Sequence, residues 1–170
     1  CSAWDRPTDD SKVYVYNADD LKIITRISLP DIRYGAGGIE YYAGHFFIVG
    51  GAPPGSQENF VYEYDGEFHP VKTHIIPSGN TSLGVQNIGH FDGGFWLGCY
   101  GNILIKLDDS CKIIGQYKAD TGYGLEAWDG TDVLIGSTES RDEGNSKRWG
   151  GRVRLGHTDP SGGVVLYAPK

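Results

Sequence analysis

The sequence predicts an all-β chain, and three observations carry that reading: abundant glycine, short apolar runs, and an internal repeat. Of 170 residues, 26 are glycine, 8 proline and 11 tyrosine. With few long runs of helix-favouring residues, that composition describes short strands joined by tight turns. At 39% hydrophobic and 22% charged residues, the chain has enough apolar matter to build a core, which excludes intrinsic disorder.

The repeat decides the architecture, because self-similarity at a fixed period means stacked units. Val15-Tyr16-Asn17-Ala18-Asp19-Asp20-Leu21-Lys22-Ile23-Ile24 aligns without gaps to Ile105-Lys106-Leu107-Asp108-Asp109-Ser110-Cys111-Lys112-Ile113-Ile114. Near the midpoint, Val61-Tyr62-Glu63-Tyr64-Asp65-Gly66-Glu67-Phe68 repeats the apolar strand and the Asp-containing turn. All three read as hairpins. Ahead of them, Gly38-Ile39-Glu40, Gly84-Val85-Gln86 and Gly124-Leu125-Glu126 each open a short strand. Each such strand leads into an apolar run: His45-Phe46-Phe47-Ile48-Val49-Gly50, Gly94-Phe95-Trp96-Leu97-Gly98 and Asp132-Val133-Leu134-Ile135-Gly136.

A four-stranded antiparallel unit recurring every roughly 40 to 50 residues is the pattern of a β-propeller blade. Phe46, Ile48, Phe95 and Leu97 can leave water only when a neighbouring blade covers them. Residues 1–12 form an N-terminal segment. Residues 13–29 supply the last two strands of one blade, and 34–78, 82–120 and 123–170 supply three more, about three and a half in all. Rings close with roughly four to eight blades. The expectation is therefore a partial ring or half-propeller, completed by further sequence, a partner chain or self-association, with a strained small ring as the remaining alternative.

With 15 Lys+Arg against 22 Asp+Glu, the net charge is −7, which gives no attraction to nucleic-acid phosphates or anionic lipid. No apolar run approaches the ~20 residues of a membrane span. Three cysteines cannot all pair within one chain. Cys99 and Cys111 are expected as buried free thiols on non-adjacent strands. Cys1 reads either as a lipid-bearing mature N-terminus or as the start of a fragment.

The stretch Val13-Tyr14-Val15-Tyr16-Asn17 through Lys22-Ile23-Ile24-Thr25-Arg26-Ile27 resembles the blade repeat of YVTN-type and NHL-type bacterial propellers, and the match extends over residues 13–136. The resemblance implies a WD40/YVTN-like repeat scaffold that is secreted or periplasmic. Gly122-Tyr123-Gly124-Leu125-Glu126 with Asp129-Gly130 and Leu134 resembles a blade motif of the glutaminyl-peptide cyclotransferases, which are five-bladed propellers. In that family a Glu after Gly-Leu is associated with catalysis, which nominates Glu126, or Glu40 by repeat position.

In a propeller the first strand of each blade lines the central channel, so repeat-equivalent polar residues converge there. Glu40, Gln86 and Glu126, with Asn87 beside them, are the candidate ligand-binding set. Glu40 and Glu126 are also candidate ligands for a hard cation such as Ca²⁺. Hydrogen bonding to backbone and channel water is the competing role for the same residues. His45, His69, His74, His90 and His157 show no HxH or HxxxH pair, so a zinc site is not expected. There is no Gly-x-Ser-x-Gly elbow. Gly35-Ala36-Gly37-Gly38 and Gly50-Gly51-Ala52-Pro53-Pro54-Gly55 lack the following helix and Lys-Ser/Thr of a phosphate cradle, and read as turns. Asn80-Thr81-Ser82 fits the N-glycosylation pattern but reads first as a turn. Two long loops, residues 51–59 and 140–151, are candidate recognition surfaces, the second through Arg148 and Trp149.

The leading functional reading is an extracytoplasmic scaffold that binds a protein or small polar ligand. The alternative is a propeller enzyme with an acidic site at the channel mouth, a hydrolase or cyclotransferase-like.

Overall fold

The structure, a computed structural model, describes residues 7–130, 132–143, 146–159 and 163–168, with 141–143 and 146 described by backbone alone. Cys1, on which the lipid-anchor expectation rests, lies outside the described residues. Among the described residues every regular element is a strand, and no helix is long and apolar enough to cross a membrane.

The strands form four antiparallel sheets in chain order. The first holds β1 (Lys12–Tyr16) and β2 (Ile23–Ser28). The second holds β3 (Ala36–Tyr42), β4 (His45–Gly50), β5 (Asn59–Tyr64) and β6 (Pro70–Ile76). The third holds β7 (Val85–Phe91), β8 (Gly94–Cys99), β9 (Ile103–Leu107) and β10 (Ile113–Lys118). The fourth holds β11 (Gly124–Asp129), β12 (Asp132–Glu143), β13 (Ser146–Thr158) and β14 (Val164–Leu166). Each of these three sheets is an up-and-down meander, since strands adjacent in sequence are adjacent in space.

The repeated Asp turn explains the hairpins. Asp65 Oδ1 accepts the backbone N–H groups of Glu67 and His69, and Asp108 Oδ1 accepts those of Ser110 and Lys112. Asn17 does the same for Asp19. These side-chain bonds hold a residue in the left-handed region at the end of each turn: Leu21 (φ 56°), Phe68 (φ 65°) and Cys111 (φ 62°). Cys111 therefore sits in a turn, not on a strand as the alignment suggested. It is nonetheless buried, as is Cys99 on β8, and both thiols are free. Burial pushes each up to about 12, so they serve as small apolar groups.

Three cores lie at the three seams between consecutive sheets. Leu29, Ile32, Ile48 and Tyr64, with Val13 and Ile27 against them, join the first sheet to the second. Phe47, Val49, Val61 and Ile76 meet Phe95, Leu97, Cys99, Ile105 and Leu107 between the second and third. Phe91, Trp96 and Leu104 meet Leu125, Val133 and Ile135 between the third and fourth. Strand β8 is buried along its whole length because successive side chains point to opposite faces and a sheet covers each. At the two ends of the stack Tyr16, Val153, Val165 and Tyr167 stand in solvent, and the described residues form no closed ring of sheets.

Residues 140–151 are not the free loop the polar composition suggested. The ladder between β12 and β13 runs from Asp132↔His157 to Glu143↔Ser146, so residues 140–143 and 146–151 belong to the outer half of one long hairpin. Polarity indicated a loop because residues 147–151 are exposed, yet they are paired to β12 in the ladder.

Candidate functional site

The first strands of the three full sheets lie side by side, β7 packing beside both β3 and β11. Their register can be read from the pairing to the second strands. Ile39 pairs with Ile48, Ile88 with Leu97, and Leu125 with Ile135, so these three are equivalent. The next residues are then Glu40, Gly89 and Glu126. The alignment that placed Gln86 beside the two glutamates is corrected: Gly89 is their counterpart, and Gln86 lies three residues away.

The triplets match in residue type but not in place: Gly84 precedes β7, whereas Gly38 lies inside β3. Both strands carry a β-bulge at the same level. The register shifts between Ala36 and Gly38 on β3, and between Val85 and Asn87 on β7. The extra residues are Gly37 and Gln86. A bulge re-aims the residue it inserts, and both of these line one cleft of about 520 Å³, together with Asp10, Lys12, Tyr100 and Tyr123. Gln86 donates from Nε2 to the Leu83 carbonyl at 3.3 Å. Asn87 serves the seam instead: its Nδ2 donates to the Thr121 carbonyl at 2.6 Å, and its buried Oδ1 has no partner.

Glu40 and Glu126 share a register position but sit one sheet apart, with side-chain-free Gly89 between them. Glu40 is half-buried; its Oε1 accepts the Tyr41 N–H at 2.9 Å and its Oε2 accepts the His90 N–H at 3.1 Å. Glu126 is exposed and accepts the Ala127 N–H at 3.0 Å. Burial raises the Glu40 carboxyl above its ordinary range, and the charge of Glu126 raises it further, against the pull of the two backbone bonds and His90. A carboxyl raised in the folded chain favours folding below its unfolded pKa, and that contribution is lost as pH rises through the folded value. Replacing Glu126 by Gln is therefore expected to lower the Glu40 pKa in a carboxyl NMR titration and to flatten this loss. An unchanged Glu40 titration would show that the two acids do not interact.

No third His, Cys, Asp or Glu ligand atom joins this pair among the described residues. Three such atoms do gather at Asp65, Glu67 and His69, all within 4.8 Å of one another, but Asp65 there is the acceptor of its own turn.

His45, His69, His74 and His90 are engaged by carboxylates, while the buried Nδ1 of His157 has no partner among the described residues. Glu63 is clamped between His45 Nδ1 at 2.6 Å and His74 Nε2 at 2.7 Å, a pairing across β4, β5 and β6 that linear spacing could not show. Burial pushes the Glu63 carboxyl up, and the bonds and charges of the two imidazoles more than reverse it, leaving it below its ordinary range. His90 stacks on Tyr42 with centroids 3.6 Å apart and meets Asp109 at 2.8 Å, which also accepts from the Tyr42 hydroxyl. This group ties the second sheet to the third.

Of the loop candidates, Trp149 stands 66% exposed on β13, and Arg148 beside it is also exposed. In the 51–59 segment, Asn59 is buried and donates to Ser78 and Thr81, which anchors the loop to the entry of β7. No family model matches the chain, and a search of curated proteins gives no match.

Proposed function

We propose that the chain is a β-propeller module of about three and a half blades that works outside the cytoplasm as a binding scaffold, with a small polar ligand held in the cleft at the bulged ends of the first strands. One observation carries the reading: two separate bulges, on β3 and β7, turn their extra residues into a single cavity lined by tyrosines, Gln86, Asp10 and Lys12. Tyrosine faces with a few convergent polar groups suit a neutral, hydroxyl-rich molecule. The sheet stacking supports the blade reading, and the apolar faces left in solvent at its ends are where further blades, a partner chain or a second copy would sit.

The test is a titration with a set of neutral mono- and disaccharides, followed by saturation-transfer NMR and calorimetry, with Ca²⁺ as a separate arm. At least one sugar is expected to bind, and Gln86→Ala combined with Tyr123→Ala to weaken it by about tenfold, the equivalent of roughly 1.4 kcal/mol. No saturable sugar binding, or binding untouched by both substitutions, overturns the reading.

A second reading is favoured by the raised Glu40 carboxyl beside Glu126. A carboxyl held above its ordinary range can donate a proton as a general acid. Its signature is ammonia release from an N-terminal glutaminyl peptide, or hydrolysis of an ester or glycoside, abolished in Glu126→Gln.

A further inference from the structure

Among the described residues, strand β13 has a long edge without a partner strand. It spans Ser146–Thr158, yet β14 pairs only with Gly156, His157 and Thr158. One further bond, from the Tyr167 N–H to the Leu155 carbonyl at 3.1 Å, ends the pairing. In an antiparallel ladder the groups facing one edge belong to alternate residues. Continuing from Leu155, the backbone N–H and C=O of Val153, Gly151 and Trp149 face the open edge, while the intervening residues bond to β12.

The two faces of this edge differ in chemistry. Val153 pairs with Gly136 and Trp149 with Ser140, on the face turned away from the third sheet, and they are 71% and 66% exposed. The other face carries Arg148, Arg152 and Arg154, and Lys147 stands nearby. Arg152 pairs with Glu139. Arg154 donates to Ser137 Oγ at 3.2 Å, leaves its Nε without a partner and forms no ion pair among the described residues. Beside the edge, where β14 has ended, runs a groove of about 490 Å³ lined by Arg152, Val153, Arg154, Leu155, Tyr167 and Ala168. In a chain of net charge −7, Arg154 lines this groove without an ion pair among the described residues, beside Arg152, and so draws an anionic side chain to it.

We infer that β13 is a strand-addition site for an extended peptide that alternates acidic and apolar residues. Such a peptide continues the line of β14. Its backbone satisfies Val153, Gly151 and Trp149, its acidic side chains lie beside Arg152 and Arg154, and its apolar side chains cover Val153 and Trp149. Strand addition takes affinity from main-chain bonds and specificity from alternate side chains. This deepens the partner-binding side of the proposed scaffold and does not involve the cleft, so sugar binding tests the cleft separately.

The experiment uses a capped peptide alternating glutamate with valine and long enough to span Trp149 to Leu155, titrated into the ¹⁵N-labelled protein. A lysine–valine peptide and a glutamate–proline peptide serve as controls. Binding of the glutamate–valine peptide alone is expected, with slowed amide exchange at Trp149, Gly151 and Val153. Arg152→Glu is expected to weaken it by at least about tenfold and to reduce its salt dependence. Val153→Pro removes one outward donor without breaking the β12 ladder and is expected to weaken it comparably; if that variant does not fold, amide exchange and Arg152→Glu decide alone. Equal binding of the lysine peptide, exchange protection elsewhere, full affinity in Arg152→Glu, or an edge already filled by a second copy in light scattering overturns the inference.

Discussion

Trp96→Ala is expected to cost most of the stability of this chain. Trp96 lies at the centre of β8, 1% exposed, where the third sheet meets the fourth. Its ring stacks on Phe91 at 5.3 Å and packs on Leu104, Leu125 and Val133, while Lys106 lies over it at 4.7 Å. Truncating a buried tryptophan costs about 3–5 kcal/mol. The loss is compounded because the indole N–H donates to the Phe91 carbonyl at 3.0 Å, and an orphaned acceptor adds roughly 1–3 kcal/mol. Against a total of about 5–15 kcal/mol for an ordinary domain, the variant should be unfolded or close to it. Chemical denaturation followed by circular dichroism checks this, with Trp96→Phe expected to lose far less because a ring still fills the seam. A Trp96→Ala midpoint near that of the parent would mean that the third and fourth sheets do not depend on one another.

Gly38→Ala and Gly89→Ala are expected to be damaging at the seams between sheets, although each adds only one methyl group. A Cβ at Gly38 would stand 2.7 Å from the Asn87 Cα, and one at Gly89 would stand 2.9 Å from the Leu125 carbonyl oxygen. Both obstacles are backbone, so the first strands of adjacent sheets must separate along with the cores behind them. Overpacking of this kind costs about 1–3 kcal/mol. Gly124 provides the contrast. It occupies the register position of Gly38, but a Cβ there would meet nothing within 4 Å. Gly124→Ala should therefore fall within about 0.5 kcal/mol of the parent. Equal losses at Gly38 and Gly124 in denaturant titrations would show that close approach of the first strands is not what these glycines serve.

The same two glycines show why the candidate site was only partly legible beforehand. Gly38 and Gly124 both stood out as openers of a repeated strand, and the acids that follow them share one register. Gln86 was misplaced because Gly84-Val85-Gln86 copies Gly38-Ile39-Glu40 in residue type yet stands three residues early, with Gly84 outside β7 and Gly38 inside β3. The cleft was missed for a related reason. Asp10 with Lys12, Tyr100 and Tyr123 come from three separate stretches, and no spacing rule links them. The Glu63 clamp was equally hidden, since His45 and His74 reach it only when β4, β5 and β6 pair in their particular register.

Local chemistry written along the chain was sufficient to determine the all-β class, the four-strand unit and the hairpin turns. Strand alternation and the Asp turns act between residues a few positions apart, so each unit carries its own instructions. The tertiary structure alone decided which polar side chains meet, how far the 132–158 hairpin extends and which edges and faces stay open. Those outcomes depend on bulges and on packing between sheets, where a shift of one residue redirects a side chain while the composition stays the same.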